Sequence, residues 1–194
     1  MTSPSSADLS ITRVVLVGMM ASGKSAVGAE LARRLGWTHL DLDREIERAA
    51  GRAVREIFAA EGEAAFRRME AEATARVAER TGIVLSPGGG WITNPDLLQS
   101  LGAGTLCVWL KVSPEEAVRR AGAEPGERPL LAGADPLAAV RRLLAEREGF
   151  YARADVEVLT DGRSVSELAD EIHNVIRARA KTPAETRGES PWND

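Results

Sequence analysis

The apolar run VVLV at residues 14–17 leads directly into GMMASGKS at residues 18–25. A Gly-x-x-x-x-Gly-Lys-Ser loop is the pattern that cradles phosphate. Backbone N–H groups line the loop, the lysine reaches the outer phosphates and the last hydroxyl takes a magnesium ion. Those positions here are Ala21, Ser22, Gly23, Lys24, Ser25 and Ala26. The same feature constrains the fold, because a strand that enters a helix through such a loop opens an α/β sheet with its ligand at the strand ends. Lysine usage points the same way. Lys24, Lys111 and Lys181 are the only lysines, and the other 22 basic residues are arginine. A chain that writes Arg almost everywhere has kept a compact ammonium beside the phosphate position.

The rest of the chain follows this opening. Strand-like runs lie near 13–18, 38–42, 82–86, 105–110 and 156–159, with amphipathic helical patterns between them. That alternation implies a mostly parallel sheet with helices on both faces. Helices are expected from Lys24 to Leu35, from Glu63 to about Arg80, from a cap at Ser113, from Pro136 to Tyr151 and from Val165 to about Ala180. The stretch AGAEPGERPLLAGADP, residues 121–136, is rich in Gly, Pro and Ala, carries Arg128 and reads as a lid. Residues 1–11 and 181–194 are polar and read as a flexible start and a disordered tail around a single domain of residues 12–180.

Composition excludes several function classes. A net charge of −4 argues against a broad nucleic-acid surface. No apolar run approaches the roughly 18 residues of a membrane span, and MTSPSSADLS lacks the parts of a signal peptide. The single cysteine, Cys107, sits in an apolar run, so it reads as a core residue in a reducing compartment. A cytoplasmic protein is the reading that follows, and a monomer is the expectation. His39 and His173 have no metal-ligand spacing with Cys or Asp, so structural roles are expected for both.

Three signals fall at the carboxyl ends of successive strands, where open α/β sheets bind ligands. The phosphate loop follows the first strand. DLD, with Asp41 and Asp43, closes the second, and PGGG, with Gly88, Gly89 and Gly90, follows the third. Alternate residues at a strand end face the same way, so both aspartates can face one cleft. The alternative is that Asp43 merely caps the helix that begins REIERAA. Three glycines in a row let a ligand approach the backbone closely. Arg67 and Arg68 have a plain reading as solvated partners of Glu63 and Glu72, and Arg147 is anonymous by itself.

Taken together, GMMASGKS, DLD, IFAAEGEAAFRRME, LSPGGG, RPLL and REGFY resemble shikimate kinases in order and spacing, from about Thr12 to Arg177. The resemblance implies a three-layer α/β/α P-loop kinase fold like nucleoside monophosphate kinases. Its five-stranded parallel sheet would run in the order 2-3-1-4-5, with a substrate-binding lobe near 43–80 and a lid near 121–135. It implies ATP-dependent phosphorylation of the 3-hydroxyl of shikimate, on the route to chorismate and aromatic amino acids, with Mg²⁺. Residue by residue, Asp43 would hold the acceptor hydroxyls and Asp41 would sit by the magnesium with Ser25. Arg67 and Arg147 would hold the substrate carboxylate, and Gly88 to Gly90 would line its pocket. Arg128 would swing onto the ATP phosphates, and Arg163 lies where the family touches adenine. Two Arg forks suit one carboxylate, and an Asp suits hydroxyls. Ala21 stands where the family often has Gly, and Ala26 where Thr is common. LSPGGG offers no acid after the third strand, which leaves Asp41 to serve the metal. A kinase of another small hydroxylated metabolite, or a nucleotide-binding module without turnover, are the alternative readings.

Overall fold

The computed structural model describes residues 11–123 and 135–181. Arg128, most of the expected lid and both termini lie outside the described residues. The strands are β1 (Arg13–Val17), β2 (Thr38–Asp41), β3 (Ile83–Ser86), β4 (Thr105–Lys111) and β5 (Val156–Leu159). All four pairings are parallel and the order is β2-β3-β1-β4-β5, as expected. The helices are α1 (Lys24–Leu35), α2 (Leu42–Ala50), α3 (Val54–Ala78), α4 (Pro95–Ser100), α5 (Pro114–Ala123), α6 (Pro136–Tyr151) and α7 (Val165–Lys181).

The two-residue period of β1 explains the layers. Val14 and Leu16 point to one face, where Val27 and Leu31 of α1 and Leu168 and Ile172 of α7 bury them. Val15 and Val17 point to the other face, into a core with Ile46, Ile57, Phe66, Val77 and Tyr151. Parallel strands covered on both sides need continuous apolar runs, and β1 is buried at every position.

Two local features differ from the sequence reading. The strand β2 ends at Asp41, which pairs in register with Ser86 at the end of β3. Asp41, not Asp43, then caps α2, its carboxylate accepting from the Arg44 N–H. Asp43 sits in the first turn of that helix, so the two acids do not share a strand face. The helix expected from Glu63 is the second half of α3, whose first half begins at Val54. The halves meet at Gly62, which has φ 78° and ψ 178°. A side chain there would clash with its own backbone, so glycine makes the sharp bend that turns this lobe over the cleft.

Candidate active site

The carboxyl ends of β1, β2 and β3 open into a cleft of about 830 Å³. Lys24, Ser25, Asp41, Asp43, Arg67, Gly88, Gly89 and Arg147 all line it, with Val54, Arg55 and Phe58 from the α3 lobe.

The phosphate loop enters the cleft under tension. Ala21 has φ 57° and is the one non-glycine with positive φ among the described residues. A β-carbon in that region costs about 1–2 kcal/mol. The Lys24 ammonium donates to the carbonyls of Gly18 and Met19, both at 2.9 Å, which folds the side chain back over the loop. Ser22 is fully buried and its hydroxyl has no partner, while Ala26 is exposed in the first turn of α1. Beneath the loop, Ser86 donates to the Lys24 carbonyl at 3.0 Å and meets His39 Nε2 at 3.0 Å. Burial lowers the His39 pKa, so this imidazole braces the loop as a neutral ring.

The two acids have distinct surroundings. Ser25 donates to Asp41 Oδ2 at 2.7 Å, which joins the hydroxyl and the carboxylate into one oxygen pair. Hard oxygen donors few in number suit Mg²⁺, which keeps most of its waters and takes phosphate oxygens besides. Among the described residues there is no cluster of three or more His, Cys, Asp or Glu that could hold a metal ion. Asp43 is deeper. Its Oδ1 is buried without a hydrogen-bond partner. Its pKa is pushed up to about 6, chiefly by burial, then by the Asp41 and Glu70 carboxylates, with Lys24 opposing.

The triple glycine owes its identity to space. None of the three has positive φ. A β-carbon on Gly88 would stand 3.2 Å from Asp43 Oδ1, one on Gly89 3.3 Å from the Gly18 carbonyl, and one on Gly90 2.9 Å from Arg67 Nη2. A side chain at Gly90 would push Arg67 aside, and one at Gly88 or Gly89 would press on Asp43 or on the Gly18 carbonyl.

Arg67 is held from two sides. Glu63 Oε1 accepts from Nε and Nη2 at 3.2 and 2.8 Å, and Glu70 Oε2 accepts from Nη1 at 2.6 Å. The Glu63 pairing expected from the spacing is therefore present, but Arg67 is not a solvated surface residue: it faces Gly90 across the cleft. Arg147 reaches the same region from α6, 3.6 Å from the position of a β-carbon on Gly89.

A family model for shikimate kinase matches residues 20–177. The chain belongs to the shikimate kinase family. A curated shikimate kinase of Moorella thermoacetica is 45% identical over 165 residues, 85% of this chain and 94% of that one. Another, from Thermus thermophilus, is 45% identical over 83% of this chain and 88% of its own length. Among solved structures, a shikimate kinase of Acinetobacter baumannii in complex with shikimate superposes with a TM-score of 0.82 at 33% identity, covering 92% of this chain and all of that one. A gluconokinase of Sinorhizobium meliloti, at 17% identity and a TM-score of 0.56, shares the fold alone.

Against this family frame, Arg163 lies apart from the cleft. It donates to the carbonyls of Leu159 and Glu167 at 3.2 and 3.4 Å and pairs with Glu171 at 2.6 Å. Sequence reasoning missed two residues beside the site. Glu70 is 1% exposed, and its remaining oxygen is unpartnered. Burial raises its pKa against the pull of Arg67. Its signal was available, because position 70 falls four after Phe66 and three before Ala73 on the apolar stripe of α3. Arg120 joins the Ala21 carbonyl at 3.4 Å to the Thr160 carbonyl at 2.8 Å, and so ties the phosphate loop to the turn after β5. Nothing in the sequence distinguishes it from the other arginines.

Proposed function

We infer that this chain transfers the γ-phosphoryl group of ATP to the 3-hydroxyl of shikimate, giving shikimate 3-phosphate and ADP, in aromatic amino-acid biosynthesis. Membership of the family supports the reaction. The observation that carries the site assignment is the orphaned Oδ1 of Asp43, a buried acceptor in the cleft that Lys24, Arg67 and Arg147 also line. A buried carboxylate oxygen without a donor calls for a ligand hydroxyl.

In this reading Arg67 and Arg147 take the shikimate carboxylate, and the backbone of Gly88 to Gly90 packs against the ring. Asp43 accepts a hydrogen bond from the reacting hydroxyl and takes its proton as the new O–P bond forms and the bond to the ADP oxygen breaks. Its pKa of about 6 keeps it ionised at neutral pH yet basic enough to receive that proton. Lys24 leaves its loop carbonyls for the outer phosphates, and the loop N–H groups from Ala21 to Ala26 cradle the rest. Ser25 and Asp41 would hold Mg²⁺, which neutralises phosphate charge when bound. Arg120, bonded to the Ala21 carbonyl, flanks the nucleotide side, while the roles of Arg128 toward the phosphates and of Arg163 toward adenine rest on the family resemblance.

Turnover of ATP with a panel of acceptors tests this. Shikimate should support ADP release well above gluconate or nucleoside monophosphates, and the product should carry phosphate at the 3-position. No turnover with shikimate, beside turnover with another acceptor, would overturn it.

A further inference from the structure

Tyr151 ends α6 one turn beyond Arg147 and is fully buried. Its hydroxyl donates to the Gly89 carbonyl at 2.6 Å, and Met19 Sδ of the phosphate loop lies 3.8 Å away. A phenol has one hydrogen, so the short contact claims it. Burial raises the Tyr151 pKa, so the hydroxyl stays a donor across the working range. The ring is fixed behind it, stacked on Trp109 with centroids 5.8 Å apart.

We propose that the Tyr151 hydroxyl is a positioning group for the acceptor: it pins the Gly89 carbonyl, and with it the glycine turn that packs against shikimate. The peptide unit is planar and trans, so fixing the Gly89 oxygen fixes the Gly90 N–H in the opposite sense. Glycine turns have many conformations to lose, and a single strong bond from a rigid phenol selects one. The same hydroxyl lies on the Arg147 side of the turn: Tyr151 Oη and Arg147 Nη1 each stand 3.6 Å from the position of a β-carbon on Gly89. This inference rests on the acceptor site assigned above.

Tyr151→Phe keeps the ring and its stacking and leaves the Gly89 carbonyl without its donor. In the full chain, calorimetric titration should show shikimate binding weakened about tenfold, because binding must then also order a turn that the free protein no longer holds in place. KM for shikimate should rise in step, and the affinity for Mg·ADP should stay within twofold. Arg147→Lys is the companion. Unchanged shikimate affinity in Tyr151→Phe with weakened affinity in Arg147→Lys overturns the role of Tyr151 and leaves the acceptor site standing. Unchanged affinity in both overturns the site itself. Equal losses for shikimate and nucleotide in Tyr151→Phe reduce the residue to packing. Should the variant fail to fold, labelling decides, because Tyr151 is the only tyrosine of the chain. Fluorotyrosine incorporation then gives one fluorine resonance, which should shift on adding shikimate and not on adding Mg·ADP. A resonance indifferent to shikimate overturns the proposal.

Discussion

Asp43→Asn should make the protein more stable and nearly inactive. The folded state holds the Asp43 pKa at about 6 against an ordinary 3.8. A value raised by folding means that the native state prefers the protonated acid. The stabilisation from that proton is complete below 3.8 and is lost as pH rises through 6. At pH 8 the ionised carboxylate therefore burdens the fold. The gap amounts to at most about 3 kcal/mol at 1.36 kcal/mol per pH unit. Asparagine removes the charge at nearly constant volume, so ligand-free protein at pH 8 should melt about 5–10 °C higher than wild type. At pH 4 the difference should shrink towards zero. Turnover should fall by about 10²–10⁴, the usual contribution of a positioned base. In the wild type, kcat/KM for shikimate should drop tenfold per pH unit below about 6. Scanning calorimetry across pH, paired with steady-state rates, checks both halves. A variant that melts lower than wild type at pH 8, or whose advantage grows in acid, would refute the reasoning.

Other outcomes follow from the same geometry. Lys24→Ala should cut kcat by about 10²–10³ while shikimate still binds, measured by steady-state kinetics and calorimetry. Arg67→Lys keeps the charge and loses the fork, so KM for shikimate should rise at least tenfold with little change for ATP. The same variant should also melt lower, because Glu70 then loses its 2.6 Å partner. Ala21→Gly relieves the φ of 57° and should raise Tm by about 1–2 °C with ATP affinity kept, which thermal melts and nucleotide titration would show.

The sheet was legible because β1, β3 and β4 are continuous apolar runs separated by helical patterns, and a parallel order follows from that alternation. The phosphate loop was legible because its spacing is itself the geometry. The DLD motif was only half legible. Two acids two residues apart compete for one cap, and the winner is set by where β2 stops pairing with β3, at Asp41 against Ser86. The first half of α3 escaped because Gly62 breaks the period that its second half shows. The acceptor resemblance pointed to Arg67 but not to Glu70, whose burial depends on how α3 packs against the sheet. A glutamate on a helix is by default a solvated one. Arg120 and Tyr151 matter through contacts with Ala21 and Gly89, distant in sequence by 99 and 62 residues, and no local pattern encodes those.

A crystal structure with shikimate and Mg·ADP bound would test the central claim most directly. The account predicts a ring hydroxyl within about 3 Å of Asp43 Oδ1 and the carboxylate shared by Arg67 and Arg147. Shikimate bound the other way round, with its carboxylate at the phosphate loop and no hydroxyl on Asp43, would contradict it.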